Sequence, residues 1–354
     1  MPWPSLQPVL HRLASPIAAS AVAVILSLAA TPAAAGDAVA EFYSGRSIAL
    51  LIGYGPGGGY DSYARVLARH LGKHIPGHPS IVPQNMPGAG GLAVASYLYN
   101  VAHADGLTLG IFGPFTALEP LFGNRSARFD PVRLTWIGKM DVDAGACGAW
   151  RSAGIERVSD LQRKEVVFGS SGRASTTTQQ VLALKNLLGA KVRIVQGYKG
   201  SADITLAMRR GEVSAMCGIA ASNVLVQLQD DIRSGDMRIF VQFGRKNAPE
   251  FGTAENIYEL LSSSEDRQVA EVIFRPNELG KPVASSPGLP ADRAAALRDA
   301  FARTMTDAGF VDEMARMSLP VNPATGEEVA QVFAALYATP RPLIERAVAN
   351  MTTE

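Results

Sequence analysis

Two stretches of the chain pass through the same order of elements, and that repetition constrains the fold more than any other feature. Residues 47–85 read as an apolar strand, the glycine-rich turn "GYGPGGGYD", an amphipathic helix and a second strand; residues 166–197, "VVFGSSGRASTTTQQVLALKNLLGAKVRIVQG", run through that order again. Short β-rich runs alternating with amphipathic helices imply an α/β fold with mainly parallel sheets. Strands are expected over 47–52, 80–82, 108–112, 166–168, 191–195, 214–216 and 238–243. In the first helix Ala64, Leu67, Ala68 and Leu71 share one face and Arg65, Arg69 and Lys73 the other, the spacing of a single apolar stripe that packs on a sheet. Each half can carry its own sheet, and ligands of open α/β sheets sit at the carboxyl ends of strands, where such turns lie. Two lobes facing each other across a cleft would bring both glycine turns to one ligand.

The N-terminus adds a compartment. His11 and Arg12 precede the apolar, alanine-rich "SPIAASAVAVILSLAA" and then "TPAAAGD". A weakly basic start, an apolar core and Ala33-x-Ala35 read as a signal peptide over residues 1–35, cleaved near Gly36, with a membrane anchor as the alternative. Charge is balanced at 33 basic and 32 acidic residues, and losing Arg12 with the leader leaves 32 of each. Such neutrality argues against nucleic acid or an anionic membrane surface as the partner. In 354 residues that are 47% hydrophobic there is enough apolar material for one large core or two smaller ones, and two lobes is the better fit. Cys147 and Cys217 are the only cysteines. Export permits a disulfide between them, while two buried free thiols remain the alternative.

The first turn contains Gly53-x-Gly55-x-x-Gly58, yet a dinucleotide fingerprint also needs an acidic residue about 20 positions further on. No Asp or Glu occurs between Asp61 and Asp105, and Pro56 removes one backbone donor. The lysine and hydroxyl residue of a phosphate-binding P-loop are missing too. Glycines still let backbone approach a ligand, and the N–H groups of a helix N-terminus favour an anion. With Asp61 placed to cap the following helix, a small carboxylate suits the turn better than a polyphosphate; a tight turn without a ligand is the bland alternative.

The stretch "GYGPGGGYDSYARVLARHLGKHIPGHPSIVPQNMPGAGGLAVASYLYNVAHADGLTLGIF", with "VVFGSSGRASTTT" and "IVQGYKGSADITLAMRRGEVSAM", resembles the extracytoplasmic solute receptors of tripartite tricarboxylate transporters, the Bug family. The resemblance covers nearly the whole chain after the leader. It implies a type II periplasmic binding protein: two α/β lobes, each a mainly parallel sheet with flanking helices, joined by two crossover strands near 139–150 and 237–244. The first lobe would comprise 36–141 and 240–354, the second 142–239. By position it assigns Gly57, Gly58 and Asp61 to ligand binding from one lobe. Gly169, Ser170, Ser171 and Ser175, Thr176, Thr177 and Thr178 face them, and Tyr198, Lys199 and Gly200 flank the cleft, with Asp203 capping the helix beyond. Two departures stand out: Arg173, where many members carry a small polar residue, and a threonine run where a histidine is frequent. Arg173, if turned inward, would pair with a second carboxylate and favour a dicarboxylate; turned outward, it would sit in solvent.

Other constellations carry less. His70, His74 and His78 are four apart, but Pro76 and Gly77 break the helix and no carboxylate completes a metal set. Asp141-x-Asp143 lacks calcium-loop spacing, Ser170 and Ser171 lack a nucleophile elbow, Arg209 and Arg210 read as a solvated helix end, and Trp136 and Trp150 as core. The sequence thus points to a periplasmic receptor that captures a small organic carboxylate for integral membrane transporter subunits. It is expected to be a monomer, with no cofactor, no metal and no enzymatic activity. An exported α/β enzyme using the same cleft, or a receptor that feeds a sensor kinase, are the alternatives.

Overall fold

The computed structural model describes residues 32–142 and 144–351. The expected leader falls almost wholly outside the described residues, and so does Asp143. In chain order the strands are β1 (Ser47–Ile52), β2 (Ser80–Asn85), β3 (Thr108–Ile111), β4 (Thr135–Asp141), β5 (Ala146–Trp150) and β6 (Val166–Ser170). They continue with β7 (Val192–Gln196), β8 (Ala215–Met216), β9 (Met237–Gln242), β10 (Glu255–Asn256), β11 (Gly280–Ser285) and β12 (Ala324–Thr325). They form two six-stranded sheets, ordered β12-β4-β11-β3-β1-β2 in the first lobe and β10-β9-β5-β8-β6-β7 in the second.

The two repeated stretches are the parallel hearts of these sheets. β1 pairs in parallel with β2 and β3, and β6 with β7 and β8. Burial explains why β1 reads as an unbroken apolar run: Ile48, Leu50 and Ile52 are fully buried. The sheets as wholes are nonetheless mixed rather than mainly parallel. β11 runs antiparallel to β3 and β4, β12 to β4, and β5 to β8 and β9. Every one of these pairings involves β4, β5 or β11, the strands on which the chain leaves one sheet and later re-enters it.

That geometry also moves one expected boundary. The first crossing lies between Asp141 and Ala146, inside the expected 139–150 segment. The second does not lie at 237–244: β9 pairs with β5 and β10 inside the second sheet, and the chain rejoins the first sheet only at β11. The apolar run of β9 needs a paired, buried position, and it finds one beside Cys147. The segment between includes the helix Ser264–Phe274, which packs on the C-terminal helix Arg341–Asn350.

The helical C-terminal part packs on the first sheet as expected as far as Tyr337, whereas its last helix, Arg341–Asn350, lies against Ser264–Phe274 and the second-lobe helix Thr176–Leu188. Helices Ala291–Thr306 and Gly326–Tyr337 lie against β4, and Phe333 stacks on Trp136 with ring centroids 4.7 Å apart. Buried Trp136 donates its indole N–H to the Pro131 carbonyl at 2.9 Å, so the large apolar surface is covered without leaving a donor unpaired. In the second lobe a disulfide joins Cys147 on β5 to Cys217 just beyond β8, both fully buried. Among the described residues no helix is long and apolar enough to cross a membrane.

Candidate functional site

Four helices direct their first turns at the space between the two sheets. Helix Gly59–Leu71 follows β1 through the first glycine turn, and helix Thr176–Leu188 follows β6 through the second. Helix Ser201–Arg209 starts after β7, and a helical run over 221–233 starts after β8. Gly58, Gly59 and Tyr60, then Thr176 and Thr177, then Ser201, and Ser222 with Asn223, all line one narrow cleft there. Its enclosed space is about 40 Å³, room for the centres of a few waters. Unpaired N–H groups and the positive ends of helix dipoles converge on that space, a setting that favours an anion.

The first glycine turn is held from behind. Helix Gly59–Leu71 has Gly58 as its N-cap with no side-chain cap, so Asp61 does not cap it. Its buried carboxylate instead reaches back out of the helix to accept the Gly57 N–H at 2.9 Å. It also accepts from Arg65 Nε at 2.9 Å and from Asn85 Nδ2 at 2.8 Å. Burial pushes the carboxyl pKa up, but the hydrogen bonds from Arg65, Gly57 and Asn85 outweigh it and leave the pKa below its ordinary value. Asp61 and Gly57 therefore shape the turn and are absent from the cleft wall, while Gly58 is on it. Asp203 repeats the device: it accepts the N–H of Lys199, four residues back, at 3.2 Å.

The second turn is held by hydroxyls. Ser170 and Thr178, both buried, bond to each other, and Thr178 Oγ1 also donates to the Gly172 carbonyl at 2.8 Å. Thr177 Oγ1 accepts the Ser171 N–H at 3.0 Å and lies 2.5 Å from Ser175 Oγ. Ser171, Ser175, Thr176 and Thr177 line the cleft, whereas Gly169, Ser170 and Thr178 sit behind it. Arg173 is not on the wall either. It is half-exposed, with Nε 3.9 Å from Oε2 of buried Glu119 across the lobes. Burial raises the Glu119 pKa, against the opposing pull of Asn124 and Arg173. A buried carboxylate draws the guanidinium away from the ligand space, which corrects the inward orientation considered for Arg173.

The lobes touch through these loops. Gly55 N–H donates to the Lys199 carbonyl at 2.7 Å, and Gln227 Nε2 donates to the Gly57 carbonyl at 2.6 Å. A Cβ on Gly55 would stand 2.8 Å from Lys199 Cβ, and one on Gly90, at φ +72°, would stand 2.5 Å from Ser175 N. Both close approaches need glycine. Lys199 and Gly200 thus belong to the lobe contact, while Tyr198 packs on the second-lobe core; none of them lines the cleft, and Lys199 is exposed.

Sequence reasoning missed much of the wall: Tyr54, Gly59, Tyr60, Ser201, Gly218, Ala220, Ser222, Asn223 and Lys281. Ser222 is 1% exposed, and its Oγ has no hydrogen-bond partner among the described residues. Lys281, on β11, is likewise 1% exposed, with Nζ 3.4 Å from Asp141 Oδ2. A lone serine after a short strand and a lysine in "GKPVAS" carry no local signal.

Two α/β lobes, the second inserted between two parts of the first and packed against it over one cleft, have the fold of periplasmic binding protein structures. No family model matches the chain. It is 27% identical over 336 residues to the UPF0065 protein in the gbd 5' region of Cupriavidus necator, covering 92% of this chain and 94% of that one. With BugT of Bordetella pertussis it shares 26% identity over 68% of this chain and 73% of that one. The structure of the periplasmic binding protein BugD superposes with a TM-score of 0.69 at 18% identity, covering 86% of this chain and 98% of that one. MatC of Rhodopseudomonas palustris, solved with malate, gives 0.66 at 17% identity over 87% and 99% of the two chains. An R. palustris protein solved with adipate gives 0.64 at 18% over 86% and 98%. Over most of its length the chain is thus similar to UPF0065/Bug proteins.

Proposed function

We propose that the protein is an exported, periplasmic receptor that closes on a small organic carboxylate and delivers it to the integral membrane subunits of a tripartite tricarboxylate-type transporter. The observation that carries this reading is the convergence of four helix N-termini, two from separated glycine turns, on one enclosed cleft. Peptide N–H groups there bind a carboxylate without a counter-ion, and Ser222 Oγ, buried and unpartnered, supplies a further polar contact. Ligands named for structures of the same fold, malate and adipate, are small carboxylates.

The test is a thermal-shift screen of mono-, di- and tricarboxylates, aromatic ones included, followed by calorimetry on the best. Ligand that binds only the folded state raises the melting temperature. One ligand per chain, recovered unchanged after prolonged incubation, supports a receptor. Conversion of the ligand, or no shift with any carboxylate, overturns the proposal.

A further inference from the structure

Lysine is rarely buried completely, yet Lys281 is, and it forms part of the cleft wall. It is the one Lys, Arg, His, Asp or Glu among the described residues that line that wall. Its backbone is held at φ +53°, a left-handed conformation that costs a non-glycine residue energy and persists where surrounding structure enforces it. The enforcement is visible. Gly280 pairs with Asp141 and Pro282 with Lys139 at the end of β4, so Lys281 is fixed where the chain re-enters the first sheet.

The side chain is braced by a carboxylate and two aromatic rings. Asp141 Oδ2, 3.4 Å from Nζ, also accepts the Tyr63 hydroxyl at 2.9 Å. The rings of Tyr63 and Tyr60 lie 4.9 and 5.9 Å from Nζ, within range of a cation–π attraction. Tyr60 belongs to the first turn of the helix whose N-terminus opens on the cleft, so the ammonium and the peptide N–H groups are two separate anion-seeking features on one wall. An ammonium carries three donors, and hydrogen bonds to ionised groups exceed neutral ones in strength.

Building on the carboxylate-receptor reading, we infer that Lys281 is the specificity-determining residue of the cleft: the helix N-termini hold one carboxylate and the Lys281 ammonium pairs with a second, selecting dicarboxylates. The preference earlier attached to Arg173, in the second glycine turn, is thereby assigned to a residue on β11 of the first sheet.

Isosteric pairs test this on the wild-type protein without any mutation. Malate against 3-hydroxybutyrate, succinate against butyrate, and adipate against hexanoate each exchange one carboxylate for a methyl group. By calorimetry the dicarboxylate of at least one pair should bind about ten- to a hundred-fold more tightly than its partner, the range for a hydrogen bond to a charged group. Lys281→Met, shown to be folded by circular dichroism, should lose that margin for the dicarboxylate and leave monocarboxylate affinity within about threefold. Equal affinity for the members of every pair in wild type overturns the inference while leaving the receptor reading intact. A folded Lys281→Met with undiminished dicarboxylate preference overturns it likewise. Binding of neither class removes both.

Discussion

The two glycine turns occupy equivalent places, each between the strand next to a sheet edge and a helix aimed at the cleft, and they are stabilised by different chemistry. In the first lobe the turn is nearly all glycine, and its shape is imposed from behind by one buried carboxylate with Arg65 and Asn85. In the second lobe the turn supplies its own hydroxyls, which satisfy one another and leave Thr176 and Thr177 on the wall. That lobe is also stapled by the Cys147–Cys217 disulfide. The difference teaches that topology repeats while anchoring does not: one turn depends on a charge, the other on a hydroxyl network in a lobe that also carries a covalent staple.

Breaking the covalent bond should have the largest effect. The disulfide closes a separation of 70 residues, so Cys147→Ala/Cys217→Ala should lose about 4 kcal/mol in the chain-entropy model. Denaturant unfolding measures it, and a loss below about 1 kcal/mol would show that the second lobe does not rely on the staple. Removing the charge comes next: Asp61→Ala should cost about 2 kcal/mol, since it removes together the hydrogen bonds that Gly57, Arg65 and Asn85 make to one buried carboxylate. The same residue gives a pH signature. Its folded pKa lies below its ordinary value of 3.8, so its stabilisation is complete above that value and is lost as pH falls through it toward the folded pKa. Asp61→Ala should flatten the acid limb of a stability–pH curve; an unchanged limb would mean that other groups carry it.

Smaller effects separate the lobe contact from the lobes themselves. Gly55→Ala places a methyl against Lys199 only in the closed arrangement. It should weaken ligand affinity about tenfold by overpacking, while the melting temperature without ligand stays at the wild-type value. A fall in that temperature would place the strain within the first lobe. Arg173→Ala is expected to have the least consequence, with affinity within about threefold of wild type, because the guanidinium is half-exposed and directed at Glu119. A larger loss, measured by calorimetry, would return Arg173 to the ligand.

What could be read in the sequence follows from how local each signal is. β1 was placed at its observed limits because "SIALLI" is an unbroken apolar run ending in glycine. β11 went unread because "GKPVAS" contains Gly, Lys and Pro and a single β-branched residue; β3 and β4 on either side make it a strand. Lys281 was missed with it. Both glycine turns were legible as loops, since glycine and hydroxyl residues announce themselves locally, but which members face the ligand was not. Gly57, Asp61, Ser170 and Thr178 were assigned to the site through the family resemblance, and they lie behind the cleft wall, where they hold the turns. The Cys147–Cys217 pair could be suspected because the chain has only two cysteines, although their proximity is a property of the β5–β8 pairing.

The position of β11 sets an order of assembly. The second sheet draws its strands from one continuous stretch, Ala146 to Asn256, whereas β11 sits in the middle of the first sheet, between β3 and β4. As the polypeptide emerges, β1, β2 and β3 can pair, but β4 has no neighbour to join them through until residues 280–285 arrive. The lobe nearest the N-terminus is therefore the last to be completed, and its unfinished edges stay exposed while the intervening lobe folds. A truncation ending near residue 276, which keeps helix Ser264–Phe274 on the second-lobe core, should leave the first half more open to proteolysis than the disulfide-bonded half.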